Sequence, residues 1–147
     1  MKVTTIRHMH SDHLLEVSEI ERSSFSTPWS ELSFLNEIYN PFSHAYVALL
    51  DTTVVGYIVT KQISEEGHIL DLAVHQAYRR QGIARSLVER GLEDMRRDGC
   101  RNVYLEVRLS NSSAIKLYES MGFRSAGIRK AYYIHPLEDA LVMVREM

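Results

Sequence analysis

The spacing of apolar residues changes several times along the chain, and each change marks an element. Val3 to Ile6 predicts a short first strand. From Asp12 to Ser23, Leu14, Leu15, Val17 and Ile20 recur at helical spacing, as in an amphipathic helix. Ser26-Thr27-Pro28-Trp29 interrupts it, a second short helix is expected over Ser30 to Ile38, and Asn40-Pro41 closes the unit. His44 to Leu50 and Val54 to Gln62 are rich in Val, Ile and Tyr around Asp51-Thr52-Thr53, the pattern of a hairpin. Glu65-Glu66-Gly67 predicts the next turn. Ile69 to Val74 is apolar on both faces, which predicts a strand covered on both sides.

Past Gly82 the period becomes helical. Ala84, Leu87, Val88, Gly91, Leu92 and Met95 form one stripe, and Asp98-Gly99 ends it. Val103 to Val107 is a strand, and Ser110-Asn111-Ser112 supplies polar caps for a helix that stops at Gly122. Strands near Arg124 to Ile134 and Ala140 to Val144 flank a turn with Pro136. The mixed order, about seven strands with four inserted helices, is an α+β layout.

A length of 147 residues suits one domain, here 1–147, with a single core. The apolar fraction of 45% and charged fraction of 24% are those of an ordinary globular protein, and a net charge of -2 argues against a nucleic-acid partner. Met1 to Ile6 has no leader pattern and no apolar run is long enough for a bilayer, so a cytoplasmic protein without membrane contact is expected. The single Cys100 has no internal disulfide partner and no adjacent His. His8, His10 and His13 are spaced poorly for one ion, so no metal is expected.

The most informative segment is Leu72-Ala73-Val74-His75-Gln76-Ala77-Tyr78-Arg79-Arg80-Gln81-Gly82-Ile83-Ala84-Arg85. A strand runs into a basic loop that opens an amphipathic helix. Helix starts carry unpaired N–H groups and positive dipole potential, and Gly82 and Ala84 let an anion approach the backbone. No acidic residue occupies the first turn, while Arg79, Arg80 and Arg85 add positive charge. The glycines and lysine of other phosphate loops are missing. A solvated arginine face with Gly82 as plain turn punctuation is the competing reading.

Two further residues carry candidate chemistry. On the strand Val103 to Val107, Glu106 shares a face with Tyr104, opposite Val103, Leu105 and Val107. Covered on both sides, such a carboxylate would have a raised pKa and suit a general base. On a solvated face it would be a surface charge paired with Arg108. Tyr118 shares an inward stripe with Ala114, Leu117 and Met121, and is either a core aromatic or a catalytic phenol.

Arg79 to Ala84 resembles the Gln/Arg-x-x-Gly-x-Gly/Ala signature of the GCN5-related N-acetyltransferases, with Ala84 in place of the commoner second glycine. The run Leu105-Glu106-Val107-Arg108, then Ser110-Asn111, then Leu117 to Phe123, with Tyr132-Tyr133, resembles the ribosomal-protein alanine branch of that family. The likeness is strongest from Leu72 to Phe123 and covers most of the chain. It implies the three-layer α/β/α acyl-CoA N-acyltransferase fold and acetyl-CoA as co-substrate. Leu72, Ala73 and Val74 would pair with the pantetheine arm, and Arg79, Arg80, Gln81, Gly82, Ile83, Ala84 and Arg85 would hold the diphosphate, with Asn111 also touching the coenzyme. Glu106 would act as base and Tyr118 as acid. The loop between the first two helices and the last hairpin would wall the acceptor site, making Trp29, Tyr132 and Tyr133 candidate acceptor contacts. The implied acceptor is a protein or peptide N-terminus, in that branch a ribosomal protein. A broader N-terminal specificity like that of archaeal enzymes, a small-molecule amine, or an acyl-CoA sensor without turnover stays open at this point.

Overall fold

The structure is a computed structural model describing residues 3–147. Met1 and Lys2, part of the segment read for a leader, lie outside the described residues. The strands are β1 (Thr5–His8), β2 (Ser43–Leu50), β3 (Thr53–Ile63), β4 (Glu66–Val74), β5 (Asn102–Arg108), β6 (Arg124–Ile134) and β7 (Leu137–Glu146). The helices are α1 (Leu14–Ser24), α2 (Glu31–Ile38), α3 (Ile83–Arg97) and α4 (Ser112–Ser120). Seven strands form one mixed sheet in the order β1-β2-β3-β4-β5-β7-β6, in which β4–β5 is the parallel pair.

Polar caps set the helix starts. Ser30 Oγ accepts the Ser33 N–H at 3.1 Å to open α2, and Asn111 Oδ1 accepts the Ala114 N–H at 3.2 Å to open α4. Helices cover both faces of the sheet. Beneath α3 and α4, Leu87, Val88, Leu92, Met95, Tyr118 and Phe123 pack with Ile58, Leu105 and Met143. On the other face Val17, Ile20 and Phe34 pack against Val47, Tyr57 and Ala73. Gly91 lets α3 lie close to β3, because a Cβ there would stand 3.0 Å from Thr60 Cγ2.

Several boundaries move. The first strand is Thr5–His8, two residues later than expected, because the pairing with β2 begins at Thr5↔Leu49 and leaves Val3 76% exposed. Leu15 points to solvent, since α1 begins only at Leu14 and turns that position outward. The β3–β4 turn is Ser64-Glu65, with Glu66 and Gly67 already paired to Ile63 and Gln62. The last strand starts at Leu137 rather than Ala140.

One irregularity shapes the site. In the β3–β4 ladder Val59 faces Asp71 and Thr60 faces Ile69, so Leu70 is an extra residue and β4 bends there. The parallel β4–β5 pairing accordingly covers Glu66↔Asn102, Gly67↔Val103 and His68↔Tyr104 and then stops. From that rung onward β4 stays with β3 and β5 stays with β7, and a wedge opens between them.

Candidate active site

One wall of the wedge is the free edge of β4. Leu72, Ala73 and Val74 pair with Ile58, Tyr57 and Gly56 of β3, and nothing pairs with their other side among the described residues. Backbone groups along that edge are therefore available to an extended amide chain such as a pantetheine arm.

β4 leads to the start of α3 through a tight basic turn. His75 Nδ1 accepts the Ala77 N–H at 3.0 Å, and Arg79 Nε donates to the Val74 carbonyl at 3.1 Å. Arg80 and Gly82 then adopt left-handed φ values of 64° and 80°. Gly82 is the N-cap of α3 and has no side chain with which to cap it, and the first turn holds no acid. The helix bonding begins with Ser86 N–H to the Gly82 carbonyl at 3.1 Å, so the N–H groups of Ile83, Ala84 and Arg85 precede it. Together with the exposed Arg80 and Gln81 this is a polar cradle suited to a diphosphate. The Arg79 side chain braces the turn, and Arg85 Nη2 donates to Ser120 Oγ at 2.7 Å, joining α3 to α4.

Across the wedge, Glu106 is on the face of β5 opposite Val103, Leu105 and Val107, which pack in the core beneath α3 and α4, and its side chain is 14% exposed. His68 Nε2 lies 2.9 Å from Glu106 Oε2, and Arg129 Nη1 donates to Oε1 at 3.3 Å. These partners overturn the expected raised pKa. The hydrogen bond from His68 is the largest influence, burial opposes it, and Arg129 assists, leaving the carboxyl below its ordinary range. The expected pairing with Arg108 is also absent, as Arg108 instead meets Glu138 at 3.1 Å.

Tyr118 is buried on α4 with its ring 5.6 Å from that of Phe123. Burial, then the charge of Asp71, raises its pKa well above that of a free phenol, so it remains a proton donor through the neutral range. Among the described residues its hydroxyl makes no hydrogen bond, and it is not sealed from solvent. Asn111 spends its side-chain oxygen on capping α4, which leaves its amide NH₂ to serve a coenzyme.

The aromatic candidates divide. Tyr132 and Tyr133 are beside Glu106 because β6 bulges, its ladder with β7 running from Arg129↔Ala140 to Tyr133↔Glu138. Asp139 holds the bulge by accepting the Ala131 N–H at 2.8 Å, where Ala131 has a left-handed φ of 51°. Arg129 covers the Tyr132 ring at 4.7 Å, and Arg108 covers Tyr133 at 4.3 Å. Burial pushes the Tyr133 pKa up to about 12. Trp29, by contrast, packs its ring against Phe34 at 5.1 Å, and its backbone N–H donates to Glu21 Oε2 at 2.9 Å. It anchors the α1–α2 loop.

His68 and Arg129 escaped the sequence reading. A polar residue at the start of an apolar strand was the available signal for His68. Its partner could not be read off, because the parallel register that places it near Glu106 leaves no local trace.

A comparison of sequences decides the family. The model of the acetyltransferase (GNAT) family matches residues 14–123. The chain belongs to that family. GNAT enzymes are acetyl-CoA-dependent N-acetyltransferases, and acetyl-CoA is the co-substrate here. The [ribosomal protein bS18]-alanine N-acetyltransferase of Escherichia coli K12 is 32% identical over 143 residues, 96% of each chain. An N-alpha-acetyltransferase of Saccharolobus solfataricus is 31% identical over 156 residues, 97% of this chain and 93% of that one. The crystal structure of the E. coli ribosomal-protein-S18-alanine N-acetyltransferase superposes with a TM-score of 0.89 at 31% identity, covering 98% of this chain and 94% of that one. The GNAT domain here has the same three-layer build, and no described helix is long and apolar enough to cross a membrane.

Proposed function

We propose that this GNAT enzyme acetylates the α-amino group of a protein N-terminus, with the alanine of a small-subunit ribosomal protein as its acceptor. The observation that carries this reading is the Glu106–His68 pair at the apex of the wedge beside the open β4 edge, in a chain similar over 96% of its length to a ribosomal-protein alanine N-acetyltransferase.

The acetyl thioester supplies the electrophile when bound. The chain has to deliver a neutral amine to it, and a free α-amino group has a pKa of about 7.7–8.0, so much of it is protonated near neutrality. Glu106, ionised throughout that range, attracts the ammonium, and its proton leaves through Glu106 and His68 or an intervening water. N–H groups along Leu72 to Val74 face the developing oxyanion, an effect of roughly 2.7–4 kcal/mol for a well-placed donor. Tyr118 donates its proton to the departing thiolate. Tyr132 and Tyr133 wall the acceptor channel, while Arg80 to Arg85 and Asn111 hold the coenzyme.

A broader N-terminal specificity is the second reading, favoured by the similarity to the S. solfataricus N-alpha-acetyltransferase. Purified protein, acetyl-CoA and peptides differing in the first residue separate the two by thiol release and mass spectrometry. Blocked-Lys peptides and polyamines complete the panel. Acetylation concentrated on Ala-starting peptides supports the first reading, and an even spread supports the second. Transfer only to Lys side chains or polyamines overturns both.

A further inference from the structure

Arg108 is the last residue of β5, two positions beyond Glu106, and its guanidinium reaches two separate segments. Nη1 donates to the Pro136 carbonyl at 2.9 Å and to Glu138 Oε1 at 3.1 Å. Nη2 donates to the His135 carbonyl and to Ser26 Oγ, both at 3.1 Å. The same group lies 4.3 Å over the ring of Tyr133. Ser26 belongs to the α1–α2 loop, and the other partners belong to the β6–β7 hairpin. Glu138 in turn accepts the Ser110 N–H at 2.7 Å and the Ser110 hydroxyl at 3.1 Å, beside the Asn111 cap of α4.

We propose that Arg108 is a positioning residue that clamps the two acceptor walls, the α1–α2 loop and the β6–β7 hairpin, to each other and, through Glu138, to the start of α4. This rests on the acceptor site proposed above. Only a planar fork meets these demands. Two nitrogens serve four acceptors in different directions while the flat face covers an aromatic ring, and an ammonium has neither the reach nor the plane. Ser26 belongs to a loop that shares no ladder with the β6–β7 hairpin carrying Tyr133, so the Arg108 guanidinium is a tie between the two. The clamp therefore sets how well an acceptor is held, without touching the reacting atoms.

The test uses the full chain with Arg108→Met, Arg108→Lys and Ser26→Ala, the last being an exposed substitution that removes the loop tie alone. Steady-state kinetics should show KM for the peptide rising about tenfold in both Arg108 variants, the factor expected for losing one charged hydrogen bond. KM for acetyl-CoA should stay within about twofold, and lysine should not rescue. Trp29, the single tryptophan, sits three residues from Ser26, so acrylamide quenching of its fluorescence reports the loop directly. Quenching should increase in all three variants. Unchanged quenching overturns the clamp whatever the acceptor proves to be. Equal rises in both KM values overturn it too, since they mark a general loosening, and full rescue by lysine does the same. A wild-type enzyme that acetylates no N-terminus defeats the functional reading instead, and leaves the quenching result to decide the clamp.

Discussion

His68 on β4 and Glu106 on β5 meet at 2.9 Å immediately beyond His68↔Tyr104, the last rung at which the two parallel strands pair. A residue pair that straddles a splitting sheet has polar neighbours on one side and an open wedge on the other. That position explains how a carboxylate can be largely buried and yet easily ionised.

Glu106→Gln should lower kcat by roughly 10²–10⁴-fold, the usual worth of a general base, while calorimetry shows acetyl-CoA binding unchanged. His68→Gln should show a smaller loss. Turnover at the wild-type rate in Glu106→Gln would remove Glu106 from the mechanism.

The pH dependence of stability follows from the same contacts. The folded-state pKa of Glu106 is depressed, so its stabilisation is present above the unfolded value of about 4.3 and is lost as pH falls through the folded one. Thermal melts of Glu106→Gln should therefore fall below wild type at pH 7 and converge with it in strong acid. A gap that widens with acidity would contradict the His68 and Arg129 contacts.

Asp71 behaves in the opposite sense. It is buried beside Glu21, and burial, then the Glu21 hydrogen bond, raises its pKa far above the carboxylate range. A folded-state value above the unfolded one costs stability as pH climbs past the unfolded pKa of about 3.9. Asp71→Asn should consequently melt higher than wild type at pH 8, with the advantage shrinking towards pH 4. Equal melting at both pH values would place an ionised Asp71 in the native state.

Tyr118→Phe keeps the ring that packs on Phe123 and removes only the proton donor. Its kcat should drop by about 10²-fold with KM for acetyl-CoA within about twofold and little change in melting temperature. A large fall in melting temperature with normal turnover would make Tyr118 a purely structural residue.

Gly82→Ala adds a methyl that meets no protein atom within 4 Å, so only the left-handed φ of 80° opposes it. The strain of roughly 1–2 kcal/mol should lower the melting temperature by several degrees. Calorimetry should also show weaker acetyl-CoA binding, since the methyl projects beside the N–H groups at the start of α3. Unaltered affinity would remove Gly82 from the coenzyme cradle.

Local patterns determined much of this protein. The α3 stripe from Ala84 to Met95, the Asn111 cap and the period-2 alternation of Val103 to Val107 each follow from residues within one element, where the backbone repeat itself imposes the spacing. The turn from β4 into α3 was legible for the same reason, since Leu72 to Arg85 is a contiguous strand–turn–helix signal. Tertiary structure alone decided the electrostatics of Glu106. Alternation placed it opposite Leu105 and Val107, but what lies against its own side depends on sheet order and register, and there it meets His68 and Arg129. The Leu70 and Ala131 bulges likewise depend on ladder register between strands distant in sequence. Register is a property of a pair, so neither strand carries it by itself.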